Sequence, residues 1–100
     1  MIVVISHHWC KPNRKEEAQQ RIDQSGNTME TAPGFVFRYR MEPPADPTQV
    51  STMTVWADEK SYRAYRSART APDSADPSVP YGRVTTEIHE VSRTHGLAPG

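Results

Sequence analysis

Two adjacent histidines and the only cysteine close the stretch IVVISHHWC, residues 2–10, and these are the first side chains with chemistry to offer. A neutral imidazole with an ordinary pKa of about 6.5 accepts a proton at physiological pH, so His7 and His8 are both candidate general bases. The bland alternative for each is a histidine hydrogen-bonded at a strand end. Metal binding asks for more, because copper or zinc needs three or four convergent nitrogen or sulfur ligands. Alternate residues of a strand point to opposite sides, so His8 shares a side with Cys10, and His7 shares the other with Trp9. His89 is a candidate third ligand, but the HHxC spacing matches no recurring ligand pattern. No metal is expected, and Cys10 reads as a small buried hydrophobe.

The histidines are placed by the element that carries them. Ile2, Val3, Val4 and Ile5 are consecutive and β-branched, which predicts a strand from Met1 to about Trp9. An unbroken apolar run implies cover on both faces. Pro12 and Asn13 end it, with Asn13 the expected N-cap of a helix from Arg14 to about Glu30. Ala18, Ile22, Ser25 or Gly26, and Met29 form its thin inner stripe. Pro33-Gly34 stops this helix and opens a strand, Phe35 to Met41. Its alternation puts Phe35, Phe37, Tyr39 and Met41 on one face, and Val36, Arg38 and Arg40 on the other.

Three prolines make residues 42–48 a loop. The strand from Gln49 to Ala57 sets Val50, Thr52, Thr54 and Trp56 against Met53 and Val55. Asp58 then caps a helix running from Glu59 to about Thr70, with Tyr62, Tyr65 and Ala68 as its apolar positions. Residues 71–80 are a proline-rich connection, either a loop closing a pocket or a surface link. The last strand, Tyr81 to about Val91, alternates Val84, Thr86 and Ile88 with Thr85, Glu87 and His89. The order β-α-β-β-α-β is the split βαβ arrangement of a ferredoxin-like α+β fold. It predicts one domain over residues 1–92 and a flexible tail over 93–100.

Composition adds an assembly expectation. Only 35% of the 100 residues are apolar, the mean hydropathy is −0.77, and nine residues are proline. That is thin for a chain burying a core alone, so an obligate oligomer is expected. Twelve cationic residues balance twelve anionic ones, leaving no net field to attract nucleic acid. A lone cysteine fits a reducing cytoplasm. The apolar start is short and lacks preceding basic residues, so neither a signal peptide nor a membrane span is expected.

With Pro33-Gly34-Phe35 opening its second strand and TVWADEKSYRAYRSA joining the third strand to the second helix, the chain resembles the antibiotic biosynthesis monooxygenase family from about Met1 to Val91. The resemblance implies a dimeric α+β barrel, with two four-stranded sheets facing each other and a pocket in each subunit between sheet and helices. One branch of the family oxidises fused-ring phenols to quinones with molecular oxygen and no bound cofactor. Another binds and degrades haem, and others act on small quinols or aldehydes.

The resemblance puts Trp56 at the pocket wall and Tyr62 where a tyrosine hydrogen-bonds the phenolic substrate. The competing readings are a large core residue and an ordinary amphipathic helix face. Thr52 stands where the phenol-oxidising branch has an asparagine. The haem branch carries its iron-ligating histidine on the second helix; Arg66 falls there, and no histidine lies between Trp56 and His89. Arg63, Arg66 and Arg69 are expected on the solvated side of that helix, the alternative being that they pair with haem propionates.

The end of the first strand should reach the pocket with Ser6, His7 or His8. The expectation is therefore a cofactor-independent monooxygenase, a homodimer acting on a small aromatic phenol or quinol with molecular oxygen. His8, His7 and Trp56 are its candidate catalytic residues, with His8 favoured because it shares a face with Ser6. Tyr62, Thr52 and Tyr39 would contact substrate, and Arg38 or Arg83 would stabilise an oxyanion. The alternatives are a haem-binding or haem-degrading protein and a non-enzymatic dimer that binds a small molecule.

Overall fold

A computed structural model describes residues 1–69 and 73–96. Strand β1 spans Ile2–Cys10, helix α1 Lys15–Met29, β2 Phe35–Met41, β3 Gln49–Trp56, α2 Glu59–Ser67 and β4 Tyr81–Glu90. The strands form one sheet in the order β2-β3-β1-β4. All three pairings are antiparallel. This is the ferredoxin-like β-α-β-β-α-β fold. The β-branched β1 lies in the interior of the sheet, and β2 and β4, richer in arginine and glutamate, form the edges, where charge discourages further pairing. No helix among the described residues is long and apolar enough to cross a membrane.

Both helices pack on one face of the sheet. Ile2, Val4, Trp56 and Tyr62 form the main core there, flanked by Met29, Ala32, Phe35 and Tyr65. A second cluster joins Ala18 of α1 to Val79 and Tyr81, with Cys10 against it. The opposite face carries Val3, Ile5, Trp9, Phe37, Met41 and Met53, all half-buried, and Tyr39, which is 58% exposed. No helix covers it. The expected cover on both faces of β1 is thus met on one side only within a single chain.

Several local expectations are corrected. Asn13 is not the N-cap of α1: it sits in the left-handed region at φ 61°, which asparagine tolerates. Arg14 occupies the cap without a side-chain cap bond. Its guanidinium instead donates to the carbonyls of Pro77, Ser78 and Val79. Those bonds tie residues 77–79 of the proline-rich connection onto the start of α1. Asp58 caps α2 as its sequence suggests, accepting from the Ser61 amide at 2.7 Å. The helix ends at Ser67, and its expected last residue, Thr70, lies outside the described residues, as do 97–100 of the tail.

Phe35 does not share a face with Phe37. A register shift between them opposes Phe35 to Trp56 and Phe37 to Val55, so one extra residue is accommodated in β2. Phe35 therefore turns inward, edge-on to Trp56 at 5.9 Å, while Phe37, Tyr39 and Met41 stay on the uncovered face. Gly34, at φ 86°, begins this bend. A Cβ there would collide with the Ser61 side chain, so glycine meets two needs at one position.

Candidate functional site

Between the sheet and the two helices runs an open groove of about 690 Å³. It continues into a smaller inner pocket of about 130 Å³. His8, Met29, Arg38, Tyr65 and Arg66 line both. Thr52, Thr54, Trp56 and Tyr62 surround the inner end; Arg21, Ser25, Arg69, Tyr81, Val84 and Thr86 form the outer half. The outer volume falls within the roughly 300–1,000 Å³ of small-molecule sites. Another depression, between α1 and β2, has similar size but holds no histidine. Two of its charges, Arg40 and Asp23, are paired at 2.7 Å.

Alternation along β1 delivers Val4, Ser6 and His8 to the groove and turns His7 and Trp9 to the uncovered face. The His8 Nδ1 lies 3.2 Å from the Val50 carbonyl. A carbonyl only accepts, so Nδ1 carries the proton and Nε2 of the neutral ring is left as an acceptor. Burial pushes the His8 pKa below its ordinary value; the Val50 bond partly opposes this, and the nearby charges of Arg38 and His7 reinforce it. The neutral, proton-accepting form is therefore the resting one at pH 7. The ring also meets Tyr81 edge-on at 4.9 Å. A register shift between Trp9 and Cys10 opposes Cys10 to Tyr81 and turns that tyrosine inward.

Trp56, 1% exposed, is the innermost wall. It packs on Tyr65 at 5.3 Å and Tyr62 at 6.0 Å. The Tyr62 hydroxyl accepts from Arg66 Nη1 at 2.8 Å, since the two sit four residues apart on one helix face. Thr52 opposes Ser6 across the β1–β3 pairing, and Ser6 Oγ lies 3.2 Å from Thr86 Oγ1. A line of hydroxyls thus crosses the floor of the groove. Arg38 reaches in from β2, with Met29 Sδ as its hydrogen-bond partner at 3.6 Å. Burial lowers its pKa, which its chemistry leaves far above neutrality.

The structure therefore brings together His8, Trp56, Tyr62, Thr52 and Arg38. It does not bring His7, Tyr39 or Arg83 to them. His7 Nδ1 is 2.7 Å from Ser51 Oγ, Arg83 stacks on Trp9 at 4.5 Å, and Tyr39 packs on Phe37; all lie on the uncovered face. His89 lies there too, so it does not join His8 and Cys10. Among the described residues no three metal-ligating side chains converge. Cys10 is half-buried, and burial raises its pKa.

Arg66 and Arg69 are exposed, as expected, and they also line the open outer half of the groove. Only Arg63 turns away, bound to Glu59. The i, i+3 relation of Tyr62 to Tyr65 and of Arg66 to Arg69 carried this signal: one helix face holds both an aromatic and a cationic pair. Tyr81 had no comparable signal, because a bulge reverses its side.

A ferredoxin-like sheet with an aromatic, histidine-bearing groove under its helices defines a class of small α+β domains, and the sequence match resolves which. The chain belongs to the antibiotic biosynthesis monooxygenase family, whose pattern matches residues 1–73. No curated protein shows significant similarity to the sequence.

Among solved structures, the chain is similar to the haem-degrader MhuD of Mycobacterium tuberculosis, seen with two haems in its active site. The identity is 18% and the TM-score 0.73, covering 96% of this chain and 100% of that one. It is also similar to SnoaB, a cofactor-independent oxygenase of Streptomyces nogalater, at 12% identity and TM-score 0.73, covering 93% and 94%. A Nitrosomonas europaea protein ascribed to the same family matches at 17% identity and TM-score 0.75, covering 93% and 100%. At these identities the likeness is one of fold.

Proposed function

We propose that this protein is a cofactor-independent monooxygenase that oxidises a planar phenol or quinol with molecular oxygen. The observation that carries this reading is the state of His8: its Nδ1 proton is committed to Val50, and its Nε2 is free to accept a proton in the groove. A phenol lying along Tyr65 and Trp56 would lose its hydroxyl proton to that nitrogen. Arg38, half-buried beside it, would stabilise the phenolate by charge. The electron-rich ring carbon then reacts with dioxygen. The phenol C–OH and a ring C–H ortho or para to it, plus O₂, yield two ring carbonyls plus water: one oxygen atom enters the product, and the other leaves with the hydroxyl and ring hydrogens. Thr52 and Tyr62 would orient the ring at the inner end.

Family membership supports an oxygenase-type activity, and the fold is shared with SnoaB. The protein is read as a cytoplasmic homodimer. A second copy laid on the uncovered face would cover Ile5, Phe37 and Met53, as the family resemblance implies. Oxygen uptake with an anthrone, in chelator-treated buffer, tests the activity. Stoichiometric uptake with carbonyl formation is expected, and no uptake with any anthrone or quinol overturns it.

A second reading is a haem-binding protein, favoured by the groove's arginines and by its one unprotonated imidazole nitrogen. Helix α2 offers no histidine, so His8 would be the iron ligand; a histidine ligand often donates its other nitrogen to a carbonyl, as here. Haem would supply oxygen activation. A Soret shift on titration with micromolar haem would favour this reading over the first.

A further inference from the structure

The arginines of this chain divide according to whether they face the groove. Arg14 pairs with Glu17, Arg40 with Asp23 and Arg63 with Glu59, all away from its walls. Those on the outer half of the groove have other partners. Arg21 Nη1 donates to the Ser78 carbonyl at 3.0 Å. Arg66 donates to the Tyr62 hydroxyl, and Arg69 lies over the Tyr65 ring at 4.5 Å. No aspartate or glutamate lines the groove among the described residues, and residues 70–72 and 97–100 contain none.

Helix α1 and the α2 end thus bring three guanidinium groups to one rim with no direct ion pair to any of them among the described residues, although like charges repel. Of the three, only Arg21 lies in the field of Glu17 and Asp76, which stand outside the groove lining. Each group is oriented by a neutral contact and keeps donors free. Guanidinium groups match a planar carboxylate two bonds at a time. The walls between them are aromatic, Tyr65 and Tyr81.

Resting on the oxygenase reading of the same groove, we propose that the substrate is an aromatic hydroxy acid. Its carboxylate is held at the rim by Arg21, Arg66 and Arg69, and its hydroxyl reaches inward to His8. Arg38, deeper in the groove, is left to face the phenolate. The carboxylate fixes which end of the ring system enters first, and so which carbon meets oxygen.

Calorimetric titration of the full chain with 6-hydroxy-2-naphthoic acid, whose hydroxyl and carboxylate stand at opposite ends of the ring system, and its methyl ester tests this without turnover. The acid should bind at least about tenfold tighter than the ester, the scale of one charge-assisted contact. That preference should shrink as salt rises from low to physiological strength. Arg69→Gln and Arg21→Gln should each cut acid affinity about fivefold to tenfold and leave ester affinity unchanged. Equal binding of acid and ester to the wild-type chain overturns the proposal, whatever the variants do, and so does failure of both to bind at millimolar concentration. An acid that binds selectively but is never oxidised would sink the oxygenase reading and keep the rim site. Oxidation of neutral anthrones with no acid preference would do the reverse.

Discussion

His8 donates its Nδ1 proton to the Val50 carbonyl, 3.2 Å away on the neighbouring strand. That one bond fixes the tautomer, the ring orientation and the nitrogen left to work in the groove. It exists because β1 and β3 pair in a register that sets His8 opposite Val50. It also separates His8 from His7, whose ring is bonded on the other side of the sheet.

The pH dependence follows from burial. His8 titrates below its ordinary 6.5 in the folded chain, so the proton-accepting form persists into mild acid. The rate constant kcat/KM for phenol oxidation should be flat near pH 7 and fall only through a midpoint below 6.5. A midpoint above 6.5 would show that the base is not this histidine.

The same shift affects stability. In the unfolded chain His8 takes a proton near pH 6.5, more readily than when folded. Its contribution is therefore complete above that pH and declines as pH falls toward the folded-state midpoint. Urea midpoints measured between pH 5 and 7.5 should decrease toward the acid end, and less so in His8→Gln.

Trp56 is wall and core at once. Trp56→Ala should lower unfolding free energy by about 3–5 kcal/mol, since an almost fully buried indole is removed from beside Phe35, Tyr62 and Tyr65. Trp56→Phe should recover most of that loss in a urea titration. Gly34→Ala should cost more than about 1 kcal/mol, because it meets both a positive φ and the Ser61 side chain.

The uncovered sheet face gives an assembly prediction. Met53 and Ile5 oppose each other at its centre. Met53→Glu should convert a dimer to a monomer in light scattering, with a lower melting temperature. A wild-type chain that is monomeric at micromolar concentration would contradict the two-copy reading.

Much of this was legible in the residues. The β-branched run of β1, the Pro33-Gly34 break and the Asp58 cap are local signals with local causes, and they set the element order. Strand alternation separated His8 from His7. What alternation could not supply were the two register shifts, which carry Phe35 and Tyr81 to the helix side against the pattern; a bulge depends on pairing partners distant in sequence. Asn13 looked like a cap because its side chain suits one, but its backbone is spent on the turn. Arg66 and Arg69 are solvated as their helix face suggests, but that they also border the groove was not legible while α2 was read alone.

The most direct test of the central claim is oxygen uptake by His8→Ala and His7→Ala beside the unmodified chain, with one anthrone substrate. The account predicts a loss of about 100-fold to 10,000-fold in kcat for His8→Ala, with His7→Ala within about twofold of the parent. Equal activity in the parent and His8→Ala would contradict it.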